Sequence, residues 1–414
     1  MSLGATAEDR PDDKGRQRDP RVRAYPYPAR AWLALSSDPD NTLIEDWREL
    51  DRVIWKELGL PFSDSLFLRS FNLNLPEQVD LARHPEMLIA HPHDTIHTWG
   101  DYVWSGPKSF ERVDAIEGRE MLARMGMRPR VWVDHSLFMG NMLHNHRYGS
   151  MPTMTDASGH VYPNPLYTLD IVKHVGVRYL WDGTISQVLG QDRKVSRWAM
   201  HRWRHTSLRT TIGSYLKHQA GSLLGVGHAF RGQFTGNSAY RPHRFPDGSV
   251  LYVFPRHGTW VDADIDGLGR MLSAERLDRL QQCGGTCILY THLGKRPVDR
   301  MHEVGHITAT TKEGLVRLRD RWKAGNIELS SISKMLDHLV LRDHITIDDR
   351  QGVIRFHADG VAFHEVGALE LAGHRFSFKR SNLPAKEWKV SGTNSQLAHR
   401  VEDHGKDGFT IHFS

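Results

Sequence analysis

Short apolar runs alternate with amphipathic segments over most of this chain. The first run, residues 31–35, is apolar and ends in Ser-Ser-Asp-Pro-Asp, as expected for a buried parallel strand that delivers acids to the edge of an α/β sheet or barrel. The next apolar residues recur at helical spacing and end at Gly59, a residue type favoured just beyond a helix: Leu43, Trp47, Leu50, Ile54 and Leu58. Thr42 and Glu45 have the spacing of a capping box for this helix.

The same alternation continues along the chain. It predicts strands at 65–68, 87–90, 130–136, 178–182, 250–254, 286–292 and 326–330, and helices at 116–127, 168–175, 265–282 and around 315–322. Alternating strands and helices predict a parallel α/β architecture. Polar residues at the strand C-termini favour a barrel with its active site on that face. The periodicity alone equally allows an open doubly wound sheet.

Three segments depart from the alternation. Residues 1–25 contain too few apolar residues to fold and are expected to be a disordered leader. Within the main domain, 26–340, residues 183–248 are expected to form a long insertion or lid. Its stretch 198–209 is rich in Arg, His and Trp, and is either a surface for anionic sugar or phosphate groups or an ordinary solvated basic helix. Residues 341–414 alternate with period two and predict a small antiparallel β appendage.

Composition narrows the functional classes. A formal charge of +5 on 414 residues is mild, and no nucleic-acid recognition motif is present, so a nucleic-acid partner is not expected. The N-terminus has no apolar core of the signal-peptide kind, and no run approaches the roughly 20 apolar residues of a transmembrane segment. We therefore expect a cytoplasmic protein. The two cysteines, Cys283 and Cys287, are interpreted as reduced thiols.

Candidate catalytic and metal-binding residues lie at the predicted ends of two early strands. Asp38 and Asp40 supply two carboxylates, and His93 and His97 supply two imidazoles four residues apart. A helical turn or a tight loop would bring both imidazoles within reach of one metal ion. These four residues suffice for three metal ligands and one base. The alternative is that the acids begin a loop and cap a helix, and that the histidines are exposed loop residues.

The combination resembles the NodB-like polysaccharide deacetylases, a group of carbohydrate esterases, over approximately residues 30–335. The Asp-x-Asp spacing is similar to a variant branch of that family. The resemblance implies a distorted seven-stranded (β/α) barrel, with Asp38 as catalytic base and Asp40, His93 and His97 as metal ligands. It also implies that His292, in Thr-His-Leu, is the catalytic acid. The family's middle Arg motif has no counterpart here, because Arg130 precedes its strand instead of following it.

Weaker candidates for substrate binding follow predicted strands or the second histidine: Trp99, Tyr102, His135, Asn141, Asp182 and Arg256. The two aromatic residues would either stack against a sugar ring or pack in the core. Asp182 and Arg256 would hold the base or bind a substrate anion.

The resemblance implies a metal-dependent hydrolase of non-peptide carbon–nitrogen bonds. Its expected substrate is an acetylated amino sugar or polysaccharide precursor, nucleotide- or lipid-linked, in surface-polysaccharide biosynthesis. The expected cofactor is a divalent metal, Zn²⁺ or else Co²⁺, Ni²⁺ or Fe²⁺. Two alternatives stay open: a glycoside hydrolase on a related barrel that uses Asp38 with Asp182, and a catalytically inactive carbohydrate-binding protein.

Overall fold

In a computed structural model the chain folds into two compact units. The larger is Pro28–Leu336, and the smaller combines Met1–Tyr27 with Asp337–Ser414. The structure describes residues 19–70, 75–87, 93–99, 110–134, 140–143, 147–193, 195–196, 198, 208–209, 212–213, 215–216, 237–258, 262–297, 300, 305–348, 352–356, 371–379, 389–392 and 398–413. The bounds of the larger unit lie within a few residues of the predicted domain 26–340.

The strands of the larger unit form two main sheets. They are β1 (Ala31–Ser37), β2 (Asp64–Phe67), β3 (His93–Thr98), β4 (Val131–Val133), β5 (Thr153–Thr155), β6 (Val161–Pro163), β7 (Tyr179–Trp181), β8 (Ile185–Ser186), β9 (Arg241–Arg244), β10 (Val250–Val253), β11 (Arg256–His257), β12 (Gly285–Thr291) and β13 (Ile327–Leu329). One sheet has the order β13-β1-β12-β11-β8 and the other β2-β3-β4-β7-β10-β9. All neighbouring pairs in these sheets are parallel except β9 with β10. Strands β5 and β6 form a separate hairpin.

Helices connect the parallel strands, because a chain must return to the same end of the sheet before each new parallel strand. They are α1 (Ile44–Leu50), α2 (Arg112–Arg124), α3 (Leu169–His174), α4 (Ile265–Met271), α5 (Ala274–Cys283) and α6 (Ala309–Lys323); a further helix, α7 (Ile332–Asp343), follows β13.

Two of these helices differ in detail from the prediction. The helix expected between residues 43 and 58 is present, but its second half, Asp51–Glu57, is π-helical. Its N-cap is Leu43, without a side-chain hydrogen bond, so the predicted Thr42 capping box does not form. The helix expected over 265–282 is broken into α4 and α5 at Ser273, whose hydroxyl caps α5.

Strand β1 occupies an interior position, and all seven of its residues are buried. It pairs with β12 along its whole length and with β13 over its first three residues. Its side chains Ala31, Leu33 and Leu35 belong to a buried cluster that includes residues from α4, α5 and α6. Parallel strands buried on both faces have continuous apolar sequences. The buried position of β1 therefore accounts for its continuous apolar run, and it places the acids that follow at a buried end of the sheet.

The predicted parallel α/β architecture is confirmed. Among the described residues of the larger unit the strands form two main sheets and the β5–β6 hairpin but no closed barrel, so the finer expectation of a seven-stranded barrel is not established. The predicted insertion 183–248 is not wholly separate from the sheets, because it contributes the edge strands β8 and β9. None of the described helices is both long enough and apolar enough to cross a membrane.

The smaller unit is rich in β structure. Its strands are β14 (Ile345–Asp348), β15 (Val353–Phe356), β16 (Arg375–Phe378), β17 (Lys389–Ser391), β18 (Arg400–Asp403) and β19 (Phe409–His412). They form two three-stranded sheets, β14-β15-β17 and β16-β19-β18. All pairs are antiparallel except β15 with β17. Val22 pairs with Phe378 through a β-bridge, so part of the predicted disordered leader belongs to this unit.

Replacing Leu33 by Ala tests the importance of β1. Leu33 is 1% exposed, and truncating a buried leucine costs about 2–5 kcal/mol. The matched control is Leu208→Ala, at a leucine that is 57% exposed, where we expect a change of about 0.5 kcal/mol or less. The measurement is the free energy of unfolding in urea. Equal losses in the two variants would contradict the interior position of β1.

Candidate active site

The two predicted acids lie in a tight turn directly after β1. The amide of Asp38 donates to the carbonyl oxygen of Thr291 at 3.0 Å, which extends the pairing of β1 with β12 by one residue. Asn41 then adopts a positive φ of 58°, a left-handed conformation that asparagine tolerates better than most residues. The turn therefore keeps both Asp38 and Asp40 buried at the end of the same strand.

Arg256 forms an ion pair with Asp38. Its Nη1 donates to Asp38 Oδ1 at 2.8 Å, and both side chains are fully buried. The guanidinium carbon lies 3.6 Å from the ring centroid of Trp181 and 5.4 Å from that of Tyr290, positions in which the aromatic faces stabilise the cation. Burial lowers the pKa of Arg256, and the charge of Asp38 opposes that shift. The contact suits the suggested role of Arg256 in holding the base.

Two histidines complete a compact group with the acids. His292 follows β12, and its Nε2 lies 3.5 Å from Asp40 Oδ2 and 4.0 Å from Asp38 Oδ2. His97 lies near the C-terminal end of β3, with its Nε2 3.8 Å from Asp38 Oδ2. All four side chains are buried. We call Asp38, Asp40, His97 and His292 the acid–histidine cluster.

The orientation of the His292 ring is fixed from its far side. Its Nδ1 lies 2.6 Å from the carbonyl oxygen of Ala263. Because a carbonyl oxygen can only accept, Nδ1 carries a proton and Nε2 faces the acids. Tyr290, two residues earlier on the same strand face, places its hydroxyl 3.4 Å from that Nε2. A carbonyl partner of this kind orients metal-binding histidines in many proteins.

The charges in the cluster shift each other's pKa values. Burial alone would raise the pKa of Asp40, but the hydrogen bond and charge of His292, with the charge of His97, lower it overall. Burial alone would lower the pKa of His292, but its hydrogen bond with Asp40 and the charges of Asp40 and Asp38 raise it overall. The favoured state therefore pairs an anionic Asp40 with a cationic His292.

Two loops hold the cluster together beyond the strands. The amide of Leu293 donates to the hydroxyl oxygen of Ser37 at 3.0 Å, which joins the ends of β12 and β1. At Gly294 a Cβ atom would overlap the side chain of Thr42. The loop after His292 and the loop after Asp40 are thus packed against each other with no room for a side chain.

The donor types of the cluster suit a divalent metal. Zinc lies about 2.0–2.2 Å from carboxylate and imidazole donors, so two tetrahedral donors are roughly 3.4 Å apart. The Asp40–His292 separation of 3.5 Å is close to that value, while the other separations are wider. Asp40 Oδ1 is buried and has no hydrogen-bond partner within the described part of the chain. In that same part no three His, Cys, Asp or Glu side chains are arranged as a ready metal site.

His93 does not join the cluster. Residues 93–98 form strand β3, not the helical turn or tight loop in which residues four apart come together. At about 3.3 Å per residue in a strand, the Cα atoms of His93 and His97 are roughly 13 Å apart. The Nε2 of His93 instead donates to the carbonyl oxygen of Met87 at 2.9 Å. The geometry expected for a shared metal site is therefore wrong for this pair.

The weaker candidates have different environments. Trp99 is fully buried, with its ring centroid 4.8 Å from that of Trp132, so it packs in the core. Asn141 is also buried, in the loop after β4. Asp182 follows β7, and its carboxylate accepts from the Thr184 amide and forms an ion pair with Arg241. Tyr102 and His135 lie outside the described residues.

Sequence reasoning missed the two aromatic neighbours of Arg256. Tyr290 lies two residues before His292, and this period-two spacing within a strand was a usable signal. Trp181 ends β7 beside the candidate Asp182, but nothing in the local sequence indicates that its face would cover an arginine from another strand.

The sequence matches no known protein-family model and no curated protein.

A further buried acid lies close to the cluster. Asp64 begins β2, and its Oδ1 accepts from the Ser65 amide at 2.8 Å. Burial, with a smaller contribution from the charges of Asp38 and Asp94, raises the pKa of Asp64 to about 7 despite that hydrogen bond. An unfolded aspartate has a pKa of about 3.9. Between about pH 4 and pH 7 the folded state therefore holds a proton that the unfolded state has released.

Asp64→Asn should change how stability depends on pH. Since the folded state binds the extra proton, Asp64 lowers the free energy of unfolding as pH rises through this window. The neutral amide removes that effect. The free energy of unfolding of the variant minus that of the wild type should therefore increase by about 2–3 kcal/mol from pH 5 to pH 8, as urea denaturation at several pH values would measure. A difference that does not change with pH would contradict the raised pKa of Asp64.

Proposed function

We propose that this chain is a metal-dependent hydrolase that removes an acyl group, acetyl above all, from an amino sugar or polysaccharide precursor. The observation that carries the proposal is the acid–histidine cluster, in which three carboxylate–imidazole pairs, Asp40 with His292 and Asp38 with each histidine, lie 3.5 to 4.0 Å apart at the C-terminal ends of β1, β3 and β12. Parallel α/β proteins commonly place catalytic groups at such strand ends. The resemblance to NodB-like deacetylases supplies the substrate class.

The metal ligands in this proposal are Asp40, His97 and His292. This set replaces His93, whose Nε2 is bonded to a backbone carbonyl, with His292, whose Nε2 faces the acids. His292 thus moves from the expected role of catalytic acid to that of a ligand. Three protein ligands with open positions are typical of catalytic zinc. When bound, a divalent metal polarises a carbonyl group and lowers the pKa of water.

Asp38 is the base. Its Oδ1 is engaged by Arg256 while its Oδ2 is directed toward the histidines, so one oxygen orients the carboxylate and the other faces the reacting groups. Asp38 takes a proton from the attacking water, whose oxygen adds to the acyl carbon. The carbon–nitrogen bond then breaks, and the proton passes to the leaving nitrogen. The products are a carboxylate and a free amine.

The proposal extends to the fold. In one main sheet the parallel strands β2, β3, β4, β7 and β10 follow each other in sequence order, as they do in a (β/α) barrel, and in the other sheet β1 lies between β12 and β13. The Ser65 hydroxyl, from β2, donates to the Ser37 carbonyl oxygen of β1 and so links the two sheets. This contact supports a barrel-like arrangement around the acid–histidine cluster.

Metal content distinguishes the two histidines of β3. We expect about one equivalent of zinc in purified wild-type protein, loss of that metal in His97→Ala, and retention in the matched variant His93→Ala. Elemental analysis after dialysis provides the measurement. Loss from His93→Ala with retention in His97→Ala would overturn the ligand assignment. Metal-free wild type, even after reloading with zinc, would favour the carbohydrate-binding alternative.

Asp38→Asn tests the base. A carboxamide cannot accept the water proton, so the rate of acetate release from acetylated amino sugars should fall by about 10²–10⁴-fold, with zinc retained. The control is Asp182→Asn, because Asp182 is bonded to Thr184 and Arg241 and not to the cluster; it should keep wild-type activity. Release of reducing sugar without acetate, lost in both variants, would instead indicate the glycoside hydrolase.

A further inference from the structure

An exposed apolar surface lies within the basic segment between β8 and β9. Leu208, Ile212 and Leu216 are 57%, 42% and 59% exposed. The described residues 208–209, 212–213 and 215–216 are helical. Side chains four residues apart lie on one side of a helix, so these three residues form one stripe. We call it the apolar helix face.

An aromatic pair adds to the apolar character of this segment. Trp198 is 39% exposed, and its ring centroid lies 5.4 Å from that of Tyr215 in an edge-on contact. Several large apolar residues exposed on one face are unusual for a surface that contacts only water, and such a face marks a site that binds another protein or a membrane.

The charge of the segment indicates the kind of partner. Residues 193–236 contain eight lysines and arginines and no aspartate or glutamate. Described Arg209, next to Leu208, is exposed. A second copy of the chain would bring a surface of equal positive charge, which disfavours self-association through this segment. The charge therefore points to an anionic partner.

The apolar helix face decides between anionic partners. Nucleic acids are bound mainly through phosphate contacts and through base stacking on aromatic side chains, and several exposed leucine and isoleucine side chains on one helix face add little to either. A helix that combines basic residues with exposed leucine, isoleucine and tryptophan instead has the features of one lying in the interface of an anionic bilayer.

We propose that the apolar helix face is a peripheral membrane-docking surface, in which Leu208, Ile212 and Leu216 enter the boundary between headgroups and acyl chains of an anionic bilayer. Arg209 and the other basic residues of the sequence 193–236 attract the lipid phosphates. This surface shares no residue with the acid–histidine cluster, so the inference stands independently of the proposed hydrolase activity.

Sedimentation with lipid vesicles tests the proposal on the full chain. We expect the wild type to bind vesicles of equal phosphatidylglycerol and phosphatidylcholine, to bind poorly to pure phosphatidylcholine, and to be released by salt. The variant Leu208→Gln/Ile212→Gln/Leu216→Gln keeps the positive charge, yet its partition onto the mixed vesicles should fall by about tenfold or more because the apolar contribution is gone.

The matched control is Val161→Gln, at another exposed apolar residue, 57% exposed, in β6. It should bind as the wild type does. If the triple variant does not fold by circular dichroism, the single Leu216→Gln variant is used, and a smaller but measurable loss of binding is expected.

Two outcomes would overturn the proposal. One is that the wild type does not bind the mixed vesicles at low salt, or that the glutamine variants bind them as well as the wild type does. The other is tight binding to a mixed-sequence RNA by both the wild type and the triple variant without vesicle binding, which would identify a nucleic-acid surface instead.

Discussion

The ion pair between Asp38 and Arg256 is the interaction on which the candidate site depends. Removing two such charges from water costs several kcal/mol for each ion, and only close geometry with further stabilisation of both groups offsets that cost. Here the carboxylate lies at the end of an interior strand, and the guanidinium lies against Trp181. The position of Asp38 is thus set by the sheet, and the direction of its two oxygens is set by Arg256.

The remaining members of the cluster follow from charge balance. Two buried carboxylates and one guanidinium leave a negative charge that a second cation must neutralise. The hydrogen bond with Asp40 and the charges of Asp40 and Asp38 raise the pKa of His292, so a proton on its imidazole can serve this purpose. A divalent metal bound by Asp40, His97 and His292 would occupy the same electrostatic role, so proton and metal would compete for His292, and metal affinity should weaken in acid.

The sequence predicted the parts of the site that local patterns encode. The apolar runs of β1 and β12 identified strands, and the polar residues after them, Asp38, Asp40 and His292, lie together as expected. His97 joins them, but His93 was wrongly expected beside it, because two polar residues four apart fit a helical turn as well as the two ends of one strand. The contact of Asp38 with Arg256 joins residues 218 positions apart, and no single-sequence pattern specifies which strand ends meet across a sheet.

The close packing of Gly294 against Thr42 has a consequence for ligand binding. The loops that follow His292 and Asp40 cannot separate without breaking that contact and the bond from Leu293 to Ser37. The conformational entropy of bringing the acids and His292 together is therefore lost when the protein folds, and not when a ligand arrives. Such a site is preorganised and does not form by induced fit, so its selectivity would rest on a shape that exists before binding.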